Sequence, residues 1–242
     1  VTRRKHYNSF ERFVRSVSCD WIDHRGAPFR TIAVGLSNGA VACLTSTPRG
    51  ENQDINSLGT HDDIHEEQVL TVDVSAAAKI VLSGCGRPSY PVSYPEYPYR
   101  PTVKVWKLDN WASFRVGGVN QSRTGSLEHT LYGHTGPIRK VLILDPKSTT
   151  PTYAASASAD TTIMIWHIVE GRHVRTLSQH KSAVVSISRM TDDGHSKLLS
   201  VSEDSFVIIW DWNTGEALRE FRAGQFKAGR PGNPITAASF YE

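Results

Sequence analysis

The feature that most constrains this sequence is an internal repeat marked by tryptophan. Trp166 and Trp210 lie 44 residues apart, and each ends a run rich in β-branched residues. Similar runs end at Trp106 and, with leucine in place of tryptophan, at Leu44. β-branched residues favour strands, and a period of 20–50 residues is typical of repeat architectures. The sequence therefore predicts a chain that is built from repeated β units.

Histidines mark the beginnings of the repeats. His134 and His180 precede the last two tryptophans by 32 and 30 residues, and apolar residues follow each histidine at positions +4 and +7. The same spacing follows His65, while Phe10 and Pro231 stand at the histidine position of the first and last units. The predicted units, the last of them partial, are 10–58, 61–110, 127–177, 178–221 and 231–242.

Each complete unit is predicted to form four short strands separated by turns that contain Asp or Gly. Gly133-His134, Asp160 and Trp166, followed by Asp204 and Trp210-Asp211, resemble the Trp-Asp (WD) repeat. In that family each repeat forms a four-stranded blade, and the blades are arranged radially. The resemblance is strong over 127–221 and weak before residue 60.

The resemblance implies an all-β fold, a β-propeller of the WD-repeat type. About four complete four-stranded blades and the start of a fifth are visible in the sequence. A blade cannot cover its own apolar face, so its neighbours must stack against it. We therefore expect the chain to be part of a longer propeller. Leu44 at a tryptophan position and Arg100 at the Asp position of the second unit predict weaker bonding in those units.

A Ser-His-Asp set invites an interpretation as a hydrolase, because these residue types form nucleophilic triads. The set occurs twice, however, with the same order and the same Ser-to-Asp spacing, and a catalytic site has no reason to be duplicated in every unit. The resemblance instead implies a buried hydrogen-bond chain within each blade. We predict no catalytic residue and no enzymatic activity. The predicted network consists of His134, Ser156, Asp160, Trp166, His180, Ser200, Asp204 and Trp210.

Signals for a cofactor or a metal are weak. The sequence has no Gly-rich phosphate loop after a strand and no HExxH motif. His61 and His65, with acidic residues nearby, could suggest a metal site. Because His65 already occupies the blade-histidine position, the segment is interpreted as a solvated acidic loop. We expect neither a metal nor a cofactor.

Three insertions lengthen the second unit. In an up-and-down blade with strands a to d, the b–c turn and the d–a connection emerge on one face. Residues 86–101 are predicted to be the b–c turn, 48–66 the d–a connection, and 109–126 the c–d connection on the opposite face. The 86–101 insertion holds four of the eight tyrosines and five of the twelve prolines.

Tyrosine is favoured at binding hot spots, so we predict a partner surface on the face that carries the b–c turn. The alternative is an insertion that only packs over its own blade or is disordered. The predicted surface comprises Tyr90, Tyr94, Tyr97 and Tyr99 with the acidic residues Asp62, Asp63 and Glu66.

Charge and cysteine content narrow the remaining function classes. The net charge of +3 is too small to mark the whole chain as a nucleic-acid binder. A basic arm of Arg3, Arg4 and Lys5 could contact RNA or an acidic partner, or could simply be solvated. Three cysteines without a CxxC motif suggest a reducing compartment, hence the cytoplasm or nucleus. No apolar stretch is long enough to span a bilayer.

The predicted function is a non-enzymatic scaffold that docks proteins through its loop faces within a multi-protein complex. One alternative is a component associated with RNA or ribonucleoprotein. The other is a substrate receptor of a ubiquitin ligase, for which these residues show neither an adaptor-binding segment nor a cationic ring at the channel mouth. No small-molecule substrate is predicted, and the resemblance suggests a eukaryotic source.

Overall fold

The computed structural model describes residues 13–24, 27–46, 56–87, 100–108, 125–192 and 195–222. These residues form sixteen strands in four antiparallel sheets of four strands each. One short 3-10 turn, His61–Asp63, is the only helical element among them. No helix in this part of the chain has the length and apolar character needed to cross a membrane. The predicted all-β architecture of four-stranded units is confirmed.

Each sheet is a meander in which strands pair in the order of the sequence. Sheet 1 contains β1 (Val14–His24), β2 (Ala27–Leu36), β3 (Val41–Ser46) and β4 (Asn56–Ser57). Sheet 2 contains β5 (Val69–Ser75), β6 (Ile80–Cys85), β7 (Thr102–Leu108) and β8 (Gly125–Tyr132). Sheet 3 contains β9 (Ile138–Ile143), β10 (Tyr153–Ser158), β11 (Ile163–His167) and β12 (Arg172–Leu177). Sheet 4 contains β13 (Val184–Asp192), β14 (His195–Ser202), β15 (Phe206–Asp211) and β16 (Glu216–Arg222).

Strand pairing differs from two of the predicted bounds. Residues 127–132 belong to β8 and pair with β7, so they close sheet 2 and do not begin the third unit, 127–177. Strand β4 lies inside 48–66, which was predicted as a connection only. Both strands are the fourth of their sheet. β8 is largely exposed or half-buried and β4 has only two residues, so neither carries a clear hydrophobic pattern.

The core lies between consecutive sheets, whose first strands stand side by side. Small residues on the second strand of one sheet admit branched residues from the first strand of the next. A Cβ added to Gly84 would lie 2.5 Å from Cγ2 of Ile138, and one added to Gly35 would lie 2.5 Å from Cγ1 of Val69. These glycines allow a close approach of sheets 1, 2 and 3 that a larger residue would prevent.

One face of β1 is open within the described part of the chain. The side chains of Val14 and Val17 are each 59% exposed. Val69 and Val72, which hold the same register positions in β5, are 0% and 1% exposed. Trp21, further along the same strand, is 64% exposed. The stacking that covers the first strands of sheets 2 to 4 does not extend to sheet 1 among these residues.

Candidate functional site

Sheet 3 contains a four-residue hydrogen-bond chain. The indole N–H of Trp166 donates to Oγ of Ser156 at 2.8 Å, and that hydroxyl lies 2.7 Å from Nε2 of His134. Nδ1 of His134 lies 2.8 Å from Oδ2 of Asp160. Because an ionised carboxylate can only accept, Nδ1 carries the proton and Nε2 accepts from the serine hydroxyl. Every polar side-chain atom of these four residues therefore has a hydrogen-bond partner.

Sheet 4 repeats the same chain. Trp210 donates to Oγ of Ser200 at 2.7 Å, Nε2 of His180 lies 2.7 Å from that oxygen, and Nδ1 lies 3.2 Å from Oδ2 of Asp204. The eight residues of the predicted network thus come together in two matching sets of four. Ser156 and Ser200 are 0% exposed, and each already accepts a bond from an indole. Neither hydroxyl is presented to a substrate as a nucleophile.

The two aspartates also join the loops at one end of their sheets. Asp160 accepts the backbone N–H of Thr135 at 2.9 Å, and Asp204 accepts that of Lys181 at 2.8 Å. Burial alone would raise the pKa of Asp160, but hydrogen bonds from His134, Thr162 and Thr135 hold it below its ordinary value. The pKa of Asp204 is lowered in the same way, with burial as the opposing effect. Each carboxylate therefore ties the d–a connection to the b–c turn.

Sheet 2 has a neutral version of the chain. Trp106 donates to Oγ of Ser83 at 2.8 Å, and Nε2 of His65 lies 2.7 Å from the same oxygen. Nδ1 of His65 meets a hydroxyl, Oγ1 of Thr102, at 2.9 Å, where sheets 3 and 4 have a carboxylate. Burial, and secondarily the charge of Lys104, lowers the pKa of His65 to about 3. Ser83 and Thr102 were not predicted. Ser83 nevertheless pairs with the residue two positions before Trp106, just as Ser156 pairs with the residue two positions before Trp166.

The described residues of sheet 1 do not form this hydrogen-bond network. Val34 pairs with Val17 as Ser156 pairs with Val141, so valine stands at the serine position. Leu44 stands at the tryptophan position, and Phe10, predicted at the histidine position, lies outside the described residues. The indole donor and the serine acceptor are therefore both absent from these positions of sheet 1. Such a paired replacement leaves no buried polar group without a partner and costs little.

A salt bridge replaces the aspartate tie in sheet 2. Arg87 Nε donates to Glu67 Oε2 at 2.6 Å, and Arg87 Nη2 lies 2.6 Å from Glu67 Oε1. Arg87 follows Ser83 by four residues, as Asp160 follows Ser156, so it occupies the aspartate position. The polarity of the tie is reversed, because the cation lies on the b–c turn and the carboxylate on the d–a connection. The sequence motif alone did not indicate this pair.

A buried lysine fixes the rest of the d–a connection of sheet 2. Lys104 is only 7% exposed, and its Nζ donates to the carbonyl oxygens of Asp63 at 2.6 Å and Ile64 at 3.3 Å. Burial lowers the pKa of Lys104, and the nearby charge of Asp63 opposes that effect. Asp63 Oδ2 in turn accepts the backbone N–H of Thr60 at 2.7 Å. Residues 60–67 are thus held against the sheet at several points.

The predicted partner residues divide into described and undescribed sets. Asp62 and Glu66 are exposed, whereas Asp63 is half-buried and engaged in the contacts above. The four tyrosines of the insertion and the basic arm lie outside the described residues. In the described ranges, no group of three or more His, Cys, Asp or Glu residues could hold a metal ion. The three cysteines form no disulfide, and burial raises the pKa of the Cys43 thiol to about 12.

Comparison with known proteins agrees with the repeated sheets. The family model described as "WD domain, G-beta repeat" matches residues 125–167 and 171–211. These two matches contain the histidine, serine, aspartate and tryptophan positions of both sheet 3 and sheet 4.

Several curated proteins are similar to parts of the chain. Nuclear distribution protein nudF of Aspergillus flavus is 29% identical over 119 residues, covering 49% of this chain and 22% of nudF. COMPASS component SWD3 of Saccharomyces cerevisiae is 36% identical over 93 residues, covering 38% of this chain and 28% of SWD3. The human F-box-like/WD repeat-containing protein TBL1X is 27% identical over 159 residues, covering 65% of this chain and 24% of TBL1X.

The chain thus spans about a quarter, 22–28%, of the length of these relatives. The matched residues lie where the structure forms four-stranded sheets tied by a histidine-serine-tryptophan chain. The part of the chain that the family model matches, residues 125–167 and 171–211, therefore consists of WD repeats.

Proposed function

We propose that this chain is a non-enzymatic scaffold that docks other proteins on the face of sheet 2 formed by its d–a connection and its b–c insertion. The observation that carries the proposal is the two-point salt bridge between Arg87 and Glu67. It joins the acidic loop to the first residues of the Tyr- and Pro-rich insertion. The d–a connection and the b–c insertion are therefore held together at one fixed point.

The surroundings of that salt bridge support a role in recognition. Residues 60–67 are rigidly anchored by Lys104, yet Asp62 and Glu66 remain exposed. An anchored loop loses little conformational entropy when a partner binds, which favours affinity. Tyr90, Tyr94, Tyr97 and Tyr99 would add contact area of the kind that dominates interfaces. Acidic residues at the rim would favour a partner with basic side chains.

The relatives support membership in an assembly. SWD3 is named as a component of COMPASS, and nudF is named a nuclear distribution protein. Since repeated sheets can carry different loops, the same scaffold suits different partners. We place the action of this protein in the cytoplasm or the nucleus, consistent with its few cysteines. The serines buried in the blade networks support the absence of hydrolase activity.

The test is affinity capture with a variant in which Tyr90, Tyr94, Tyr97 and Tyr99 are all replaced by serine. We expect partners captured by the native chain to be lost, while the thermal unfolding midpoint stays unchanged. A second variant, Asp62→Asn with Glu66→Gln, should weaken the same partners, more strongly at low salt. Glu216→Gln on exposed β16 is the matched control. Retention of every partner by the tyrosine variant would remove the proposal.

A further inference from the structure

The first strands of sheets 1, 2 and 3 are joined by a repeated bond from a side-chain oxygen to a backbone N–H. Ser16 Oγ on β1 accepts the N–H of Val72 on β5 at 3.1 Å. Thr71 Oγ1, at the equivalent position of β5, accepts the N–H of Val141 on β9 at 3.2 Å. Each bond satisfies an N–H group on the edge of a strand that has no further strand beside it. We call this edge of a first strand its inner edge.

A second set of bonds satisfies further N–H groups along the same edges. Asp73 Oδ2 on β5 accepts the N–H of Ile143 on β9 at 2.8 Å. Asp20 Oδ2 on β1 accepts the N–H of Ala76, just after β5, at 2.8 Å. The inner edges of β5 and β9 are thus both lined with protein oxygens. An unpaired edge N–H group otherwise needs water or another acceptor.

The junction between sheets 3 and 4 lacks these oxygens. Lys140 on β9 occupies the position of Thr71, and Leu142 occupies the position of Asp73. By the same register, the N–H groups of Ile187 and Arg189 lie on the inner edge of β13. Among the described residues, no side-chain oxygen is hydrogen-bonded to either N–H group. Within the described ranges, these two N–H groups thus lack the side-chain acceptors that the neighbouring junctions provide.

Two cations stand at this same junction. Lys140 is half-buried, and it makes no ion pair or hydrogen bond with any residue in the described ranges. The side chain of Arg189 is 33% exposed, and its Nη1 donates to the carbonyl oxygen of Ile143 at 2.5 Å and lies 3.6 Å from Asp73 Oδ2. Both cations counteract the burial that raises the pKa of Asp73, so both act on the same small volume. Two positive groups thus lie near one carboxyl group.

We propose that the inner edge of β13 binds a small oxyanion of the phosphate class, held by the N–H groups of Ile187 and Arg189 and by the ammonium group of Lys140. The anion would supply the oxygens that Ser16 and Thr71 supply at the other junctions. Charge-assisted bonds from backbone N–H groups and a lysine are the usual means of holding such an anion. This site is independent of the partner surface proposed for sheet 2.

The first test uses inorganic phosphate and the whole chain, labelled with ¹⁵N. Titration at constant ionic strength should shift the amide resonances of Ile187 and Arg189 in a saturable way, and chloride alone should not. Phosphate should also raise the thermal unfolding midpoint. If these two amides stay unmoved, or if chloride moves them equally, the site does not exist as described.

Variants at one position provide the second test. Lys140→Thr restores an oxygen opposite the N–H of Ile187, so we expect phosphate affinity to fall at least about tenfold. Lys140→Met removes the charge without adding an oxygen and should weaken phosphate similarly. Exposed Lys107→Met is the control for nonspecific attraction and should bind as the native chain does. Equal phosphate affinity in all four proteins would overturn the proposal, and the amide shifts of the native chain decide the matter should a variant fold poorly.

Discussion

Arg87 and Glu67 face each other in a two-point salt bridge, with both N–O distances at 2.6 Å. Glu67 is buried, with its side chain 8% exposed, while Arg87 is 34% exposed. The pair stands where sheets 3 and 4 tie the same loops through Asp160 and Asp204. The b–c turn thus carries a positive charge in sheet 2 and a negative charge in sheets 3 and 4. In all three sheets this residue joins the b–c turn to the d–a connection.

Glu67→Gln should lower the free energy of unfolding by about 1–3 kcal/mol, because a buried acceptor of two charge-assisted bonds is lost. Urea denaturation of the native chain, Glu67→Gln, Arg87→Gln and the double variant measures the coupling between the two side chains. Glu170→Gln is the control, since its pair with Arg172 is exposed and screened by solvent and should contribute little. A coupling near zero would contradict the importance of the tie.

Ser156→Ala should be destabilising by about 1–3 kcal/mol, because the indole N–H of Trp166 and Nε2 of His134 then lack a partner in a buried site. The same change at Ser200 should have a similar effect in sheet 4. Thermal and chemical denaturation measure both variants. Ser196→Ala on the exposed surface serves as the reference. Unchanged unfolding midpoints for both buried variants would show that the hydrogen-bond network does not stabilise sheets 3 and 4.

Acidification should weaken the fold partly through His65. Its pKa is lowered in the folded state to about 3 from an ordinary 6.5, so the unfolded chain binds the proton first. The contribution is therefore complete above pH 6.5 and is lost as the pH falls from 6.5 towards 3, by at most about 1.4 kcal/mol per pH unit.

His65→Gln should flatten this pH dependence, which denaturation at pH 7, 6, 5 and 4 would measure. Exposed His173→Gln is the matched control and should keep the slope of the native chain. Equal slopes for the His65 variant and the native chain would mean that this imidazole is not held neutral by the fold.

Lys104→Met should loosen residues 60–67 while leaving the stability of the whole fold nearly unchanged. Sheet 3 has Met164 at the same position, so methionine fits the strand register. Because a buried ammonium group is costly to desolvate, the free energy of unfolding should stay within about 1 kcal/mol of the native value. Amide exchange of residues 60–67 should rise several-fold, since two carbonyl oxygens lose their donor. Exposed Lys107→Met should leave exchange unchanged, and protected loop amides in the Lys104 variant would refute the anchoring role.

The repeated part of the structure could be read from the sequence because its signals lie within one unit. Trp166 and His134 recur at Trp210 and His180 with nearly constant spacing, and the strands between them carry apolar residues. The outer strands β4 and β8 are harder to assign, since β4 has only two residues and the largely exposed or half-buried β8 has no strong alternation.

The contacts specific to sheet 2 could not be predicted in the same way. Counting from Trp106 leads to Arg100, whereas counting from Ser83 leads to Arg87, and the 86–101 insertion separates the two. Only the pairing of strands shows which arginine occupies the aspartate position. Lys104 was missed because an alternating strand pattern does not reveal that a charged side chain is buried against carbonyl oxygens.

The position of Asp73 has a consequence for how the molecule comes apart. Its carboxyl group contacts Ser18 of sheet 1, Ile143 of sheet 3 and Arg189 of sheet 4 while belonging to sheet 2. In a linear array each module senses only its immediate neighbours, so the ends can fray independently. The contact of Asp73 with Arg189 skips sheet 3 and couples sheet 4 directly to sheet 2. Opening sheet 4 alone would therefore also strip a counter-ion from sheet 2, which favours concerted melting over stepwise peeling.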